Sequence, residues 1–78
     1  MSNLEKYTNA FVEGLGIEAE QTDGLEYQAI TEWDSVGHMN LVAAIEDAFD
    51  IMMETDDIID LSSFEKGKEI LKKYNIEV

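Results

Sequence analysis

The chain contains no cysteine, no proline and no arginine. Without cysteine there is no disulfide framework, no thiolate zinc site and no thiol nucleophile of the chain's own. No apolar run approaches the roughly 20 residues of a membrane span. The opening Met1-Ser2-Asn3-Leu4-Glu5-Lys6 has no apolar stretch behind a basic end. No secretory signal is therefore visible, and the cytoplasm is the expected compartment. There is also no internal repeat and no low-complexity tract.

Cations are scarce and confined to the ends. All five are lysines, Lys6 and then Lys66, Lys68, Lys72 and Lys73. From Tyr7 to Glu65 there is no lysine or arginine, while fifteen carboxylates run from Glu13 to Glu65. The net charge is -13. Such a surface repels nucleic acid and anionic membranes and draws basic protein patches towards it. Basic protein partners are expected, with no nucleic acid and no membrane insertion.

At 78 residues the chain is expected to form one domain, 1–78. A domain this small buries only about 60% of the surface its unfolded chain exposes. That leaves room for one compact bundle, not for a core plus a deep substrate cleft.

What is present is mostly helical periodicity. Leu4, Tyr7, Thr8, Phe11, Val12 and Leu15 recur at spacings of three and four, one stripe of an amphipathic helix. Ser2 or Asn3 can cap its start, and Gly14 and Gly16 offer an end. The pattern then fails from Ile17 to Trp33, where Gln21-Thr22-Asp23-Gly24 reads as a turn. Leu25, Tyr27, Ile30 and Trp33 are placed to pin this long loop to a core. Ser35 to Phe49 predicts a second helix, with Asp34 or Ser35 as cap. Its buried stripe is Leu41, Val42, Ile45, Ala48 and Phe49. Gly37 is read as tolerated, at roughly 1 kcal/mol against alanine.

Thr55 to Asp60 predicts a short helical turn capped by Thr55. Ser62 and Glu65 then have capping-box spacing. They open a last helix with Phe64, Gly67, Ile70, Leu71 and Tyr74 inward and the lysines outward. Met39, Met52 and Met53 are read as core or groove lining. The predicted fold is all-α: a small four-helix bundle with three main helices, a short third helix and a long loop between helices 1 and 2.

Chemistry concentrates in Glu32-Trp33-Asp34-Ser35-Val36-Gly37-His38. A hydrolytic triad would need the histidine between nucleophile and carboxylate, and an oxyanion hole on a cleft. Ser35 and His38 lie three apart on one helix beside Asp34, which does not obviously provide that. His38 is read as a packing or hydrogen-bonding residue, one turn from Asp34 and able to pair with it. Trp33 is read as a loop anchor. Glu54 to Glu65 has calcium-loop length, but Ile58 and Ile59 stand at its fifth and sixth positions, where an oxygen ligand and a glycine are needed. Both isoleucines are expected to be buried, and no metal site is expected. Covalent attachment at Ser35 remains. A helix N-terminus suits a bound phosphate, a flexible loop before it gives access, and the surrounding acids suit docking rather than catalysis. Against this stands the plain alternative that Ser35 only caps the helix.

Asp34-Ser35-Val36, followed by a helix ending Ala48-Phe49-Asp50-Ile51, resembles the acyl carrier protein family. The likeness covers nearly the whole chain. It implies that Ser35 carries 4′-phosphopantetheine, transferred from coenzyme A by a separate phosphopantetheinyl transferase, and that Asp34 helps that enzyme position the serine. The arm then bears an acyl or aminoacyl group as a thioester between a loading enzyme and a downstream synthase or transferase. The carrier itself is implied to be no enzyme and to act as a monomer. Val36, Ala43, Glu46, Asp47 and Asp50 are implied to offer the docking face. The departures are Val36 for leucine, Asn40 where carriers of fatty acid synthesis often have an acid, and Ala43 for a frequent methionine. Together with Trp33 and His38 they resemble stand-alone carriers of aminoacyl, polyketide or surface-polysaccharide pathways. An acidic interaction module without a cofactor is the alternative of a different class, and a minimal serine hydrolase a third.

Overall fold

The computed structural model describes residues 2–78, and among them the fold is all-helical. Helix α1 spans Asn3–Leu15, α2 Ser35–Phe49, α3 Thr55–Asp60 and α4 Phe64–Lys72. No strand forms among the described residues; one isolated antiparallel bridge joins Glu26 to Ser63. No described helix is long and apolar enough to cross a membrane.

Helix α1 starts where its cap chemistry dictates. Ser2 accepts the Glu5 N–H while the Glu5 carboxylate accepts the Ser2 N–H, so two orphan donors are satisfied reciprocally. It ends at Gly16, left-handed at φ 69°, whose N–H reaches back to the Val12 carbonyl. Gly14 does not end the helix. A Cβ there would lie 2.7 Å from Leu41 Cα, so Gly14 lets the α1 and α2 backbones approach.

The core is built on rings. Phe11 packs edge-on against Tyr7, Trp33 and Phe64, with centroids 5.1, 5.4 and 5.0 Å away. Such pairs add roughly 0.5–1.5 kcal/mol each beyond the area they bury. The Tyr7 hydroxyl donates to the Phe64 carbonyl at 2.6 Å. Burial, with a smaller push from Glu65, holds this phenol well above its ordinary range. Ala10, Leu15, Ile17, Leu25, Leu41, Val42, Ile45, Met53, Leu61, Ile70 and Leu71 complete the cluster.

The connection from α1 to α2 is ordered by its own bonds. It contains a 3₁₀ turn, Ala19–Thr22, that the periodicity does not predict. The Thr22 hydroxyl donates to the Ala19 carbonyl at 2.7 Å, and the Glu18 N–H to Gln21 Oε1 at 2.9 Å. Leu25 and Trp33 are buried, Ile30 is half-buried and Tyr27 stays partly open. Two backbone bonds tie this segment to the start of α4: Tyr27 N–H to Ser62 O and Phe64 N–H to Leu25 O, each 2.9 Å.

Several local expectations are corrected. Thr55 is not the cap of α3 but its first residue; Glu54 holds the cap position, with no side-chain bond. The cap of α4 is Ser63, whose Oγ accepts the Lys66 N–H at 2.9 Å, so the Ser62–Glu65 box does not form. The bridge to Glu26 and the bond from Phe64 to Leu25 set the chain extended through Ser63, which moves the start by one residue. Of the methionines, Met53 is buried and Met39, though 54% exposed, lines a groove, both as expected, whereas Met52 is 87% exposed. Ile59 is 72% exposed, because one turn of α3 can turn only one side to the core.

Helix α3 is held by a buried carboxylate. Asp57 accepts from Lys73 Nζ at 2.7 Å and from the Tyr74 hydroxyl at 2.6 Å. That same hydroxyl accepts the Glu54 N–H at 2.9 Å. The bonds from Lys73 and Tyr74 lower the Asp57 carboxyl below its ordinary range, against the opposing effect of burial. Tyr74 packs half-buried against the core as expected, but it lies beyond the end of α4, and its hydroxyl serves this clasp.

Candidate functional site

Both Asp34 and Ser35 are capable caps, and the structure assigns the work to one. Asp34 has extended backbone and its Oδ1 accepts the Gly37 N–H at 2.8 Å. Ser35 is the first helical residue, exposed, and its hydroxyl takes no part in capping. Its nearest side-chain partner is the Tyr27 hydroxyl at 3.5 Å. That exceeds the 2.5–3.0 Å typical of a hydroxyl pair.

Gly37 is required by the approach of the loop. A Cβ at this position would collide with the Glu32 carbonyl oxygen and lie 3.2 Å from Leu15 Cδ2. The loop therefore crosses directly against the first turn of α2. Trp33, fully buried, anchors the crossing.

His38 does not pair with Asp34. Its Nδ1 accepts from Trp33 Nε1 at 3.0 Å and its Nε2 meets the Ile58 carbonyl at 2.7 Å. Both ring nitrogens are thus engaged away from Ser35, and the base–nucleophile contact of a triad is not formed. Among the described residues no group of three acidic or imidazole side chains is placed to hold a metal ion.

Beside Ser35 lies an open groove of about 370 Å³, lined by Tyr27, Ser35, His38, Met39, Ile58 and Ile59. Loop, α2 and α3 each contribute a wall. A larger depression of about 540 Å³, lined by Asn3, Lys72, Asn75, Ile76 and Glu77, shares no residue with it and holds no hydroxyl side chain.

On the expected docking face, Val36 is 71% exposed, and Ala43, Asp47 and Asp50 are also exposed. Glu46 is half-buried at the edge of this face, and its Oε2 accepts the Met53 N–H at 2.8 Å. It has an internal task, holding the chain that leaves α2. Asp50 ends the helix in the left-handed conformation at φ 53°.

The chain matches no family model, no curated protein and no solved structure.

Sequence reasoning missed the roles of Tyr27 and Gly37. The Tyr27–Ser35 approach carries no short-range signal, since it depends on how a loop folds back over eight residues. The collision at Gly37 depends on the same fold-back.

Proposed function

We propose that the chain is an acyl carrier protein, with 4′-phosphopantetheine attached at Ser35 Oγ. The observation that carries this reading is the division of roles at the start of α2. Asp34 caps the helix, which leaves the Ser35 hydroxyl exposed, without a structural bond, and beside an apolar-walled groove. The residues fit the group: the hydroxyl is open to a modifying enzyme, and the first turn of an α-helix favours a phosphate.

Attachment forms an ester bond from Ser35 Oγ to phosphorus and breaks the diphosphate of coenzyme A, with adenosine 3′,5′-bisphosphate as the leaving group. The hydroxyl proton passes to a separate phosphopantetheinyl transferase. When bound, the group supplies a thiol that holds an acyl or aminoacyl cargo as a thioester. The chain's own residues present and orient it; the carrier does no catalysis itself. Val36, Ala43, Asp47 and Asp50 dock basic patches on the transferase, the loading enzyme and the downstream synthase, with Glu46 at the margin. Binding at such exposed charges is screened by salt. On this reading the protein works as a cytoplasmic monomer, in an aminoacyl, polyketide or surface-polysaccharide pathway rather than in fatty acid synthesis.

The test is intact mass after incubation with coenzyme A, magnesium and a broad-specificity transferase, with Ser35→Ala alongside. The expected result is one phosphopantetheine on the parent and none on the variant. No gain on either, with the transferase active on a known carrier, overturns attachment by that enzyme and leaves an acidic docking module without a cofactor.

A further inference from the structure

The acid-rich middle of the chain sets a problem for a phosphodiester on Ser35. Neither lysine nor arginine occurs between Tyr7 and Glu65, and none lines the groove beside Ser35. The group's negative charge has no cationic side chain there to meet it, and Asp34 stands next to it. Beyond the N–H groups of the first turn of α2, any side chain that holds the phosphate has to be a neutral donor.

The groove contains few. Of its six lining residues only Tyr27, Ser35 and His38 carry polar side-chain atoms. Ser35 Oγ becomes the ester oxygen and loses its proton. His38 has both nitrogens engaged, by Trp33 and by the Ile58 carbonyl. The Tyr27 hydroxyl is the one side-chain donor left, and it lies 3.5 Å from the oxygen that would carry the phosphorus. A non-bridging phosphate oxygen is two bonds from that ester oxygen, which brings it within reach of the phenol.

Tyr27 is also held unusually well for a partly exposed loop residue. Its N–H is bonded to Ser62 O at 2.9 Å. Its ring stands edge-on to Trp33 and to His38, with centroids 6.0 and 5.4 Å away. The next residue, Gln28, is left-handed at φ 65°, a conformation that disfavours a residue of its type, and its N–H is bonded to Trp33 O at 3.0 Å. Strained backbone of this kind persists only where its surroundings over-determine it. The N–H bond to Ser62 and the ring contacts to Trp33 and His38 hold the phenol beside Ser35.

We propose that the Tyr27 hydroxyl donates a hydrogen bond to a non-bridging phosphate oxygen of the group carried on Ser35, and so fixes the direction in which the arm leaves α2. Tyr27 is a positioning residue for the arm. The proposal rests on the carrier reading above. A hydroxyl bonded to a charged phosphate oxygen is shorter and stronger than a neutral pair, and the apolar groove walls strengthen it further. With the bond made, the first atoms of the arm are held over the groove between α2 and α3; without it they swing free in solvent.

The experiment compares parent and Tyr27→Phe, which keeps the ring and its packing and removes only the hydroxyl. Both are loaded with phosphopantetheine and checked by intact mass and thermal melting, and the phosphorus-31 spectrum of each is recorded. The expected outcome is equal melting, with a parent resonance displaced from free 4′-phosphopantetheine and a variant resonance shifted back towards it and narrowed. Identical resonances in the two loaded proteins overturn the role of Tyr27 while leaving attachment intact. No mass gain on the parent removes the carrier reading itself, and the proposal with it.

Discussion

Trp33 Nε1 donates to His38 Nδ1 at 3.0 Å, with the two rings stacked at 13° and their centroids 6.2 Å apart. An indole nitrogen can only donate, so Nδ1 accepts. The ring hydrogen then sits on Nε2 and is donated to the Ile58 carbonyl at 2.7 Å. One imidazole thereby joins the loop, α2 and α3, the three walls of the groove beside Ser35. His38→Leu fills similar space but orphans the fully buried indole N–H. The expected cost is about 2 kcal/mol in urea unfolding, the penalty of an unsatisfied buried donor. A changed tryptophan emission should accompany it. Unchanged stability and emission would show that the bridge is idle.

The capping roles at the start of α2 separate in a pair of variants. Asp34→Ala is expected to lose about 1 kcal/mol, the usual worth of an N-cap. Ser35→Ala is expected to stay within about 0.5 kcal/mol of the parent, as for surface changes without a structural bond. The reverse order in chemical denaturation would make Ser35 the cap and remove the main support for its being free to react.

Gly37→Ala tests the close approach of the loop. In an open helix this change stabilises by roughly 1 kcal/mol. Here the new Cβ meets the Glu32 carbonyl, so destabilisation of about 1–3 kcal/mol is expected, the range for overpacking. A stabilised Gly37→Ala protein would mean that the loop yields at no cost.

Acid should loosen α3 through Asp57. Its carboxyl is lowered from the ordinary 3.8 by Lys73 and Tyr74. A depressed folded value adds stability above the unfolded value, and that stability is lost as pH falls through the folded one. Asp57→Asn should therefore melt lower than the parent at neutral pH, with the gap closing as pH drops below the carboxylate range. A constant gap in melting temperature across that range would refute the linkage.

The net charge of -13 supplies the last prediction. Fifteen carboxylates between Glu13 and Glu65 without a lysine or arginine among them repel one another, so sodium chloride or magnesium should raise the melting temperature. A flat or falling response would show that self-repulsion does not limit stability.

The helices were legible because their signals are local. The stripe from Tyr7 to Leu15, the run from Leu41 to Phe49 and the apolar spacing of Phe64, Ile70 and Leu71 each follow from 3.6-residue periodicity. The two misplaced caps, Thr55 for Glu54 and Ser62 for Ser63, lie where adjacent residues compete, and at Ser63 a contact with the distant Glu26 segment also shifts the chain. Trp33 was recognisable as an anchor from its size. The bond that sends His38 to Trp33 and Ile58 rather than to Asp34 was not, because it crosses from helix to loop and to another helix.

By itself the sequence determined the all-helical class, the acidic composition and the span of α2, all through composition and short-range spacing. Only the tertiary structure decided which of Asp34 and Ser35 caps α2, what His38 bonds, and that Tyr27 faces Ser35. Each of those depends on where the loop from Gly16 to Asp34 returns to the bundle. That return is set by burying Leu25 and Trp33 and by pairing with Ser62 and Phe64, contacts between residues far apart in the chain that no local pattern encodes.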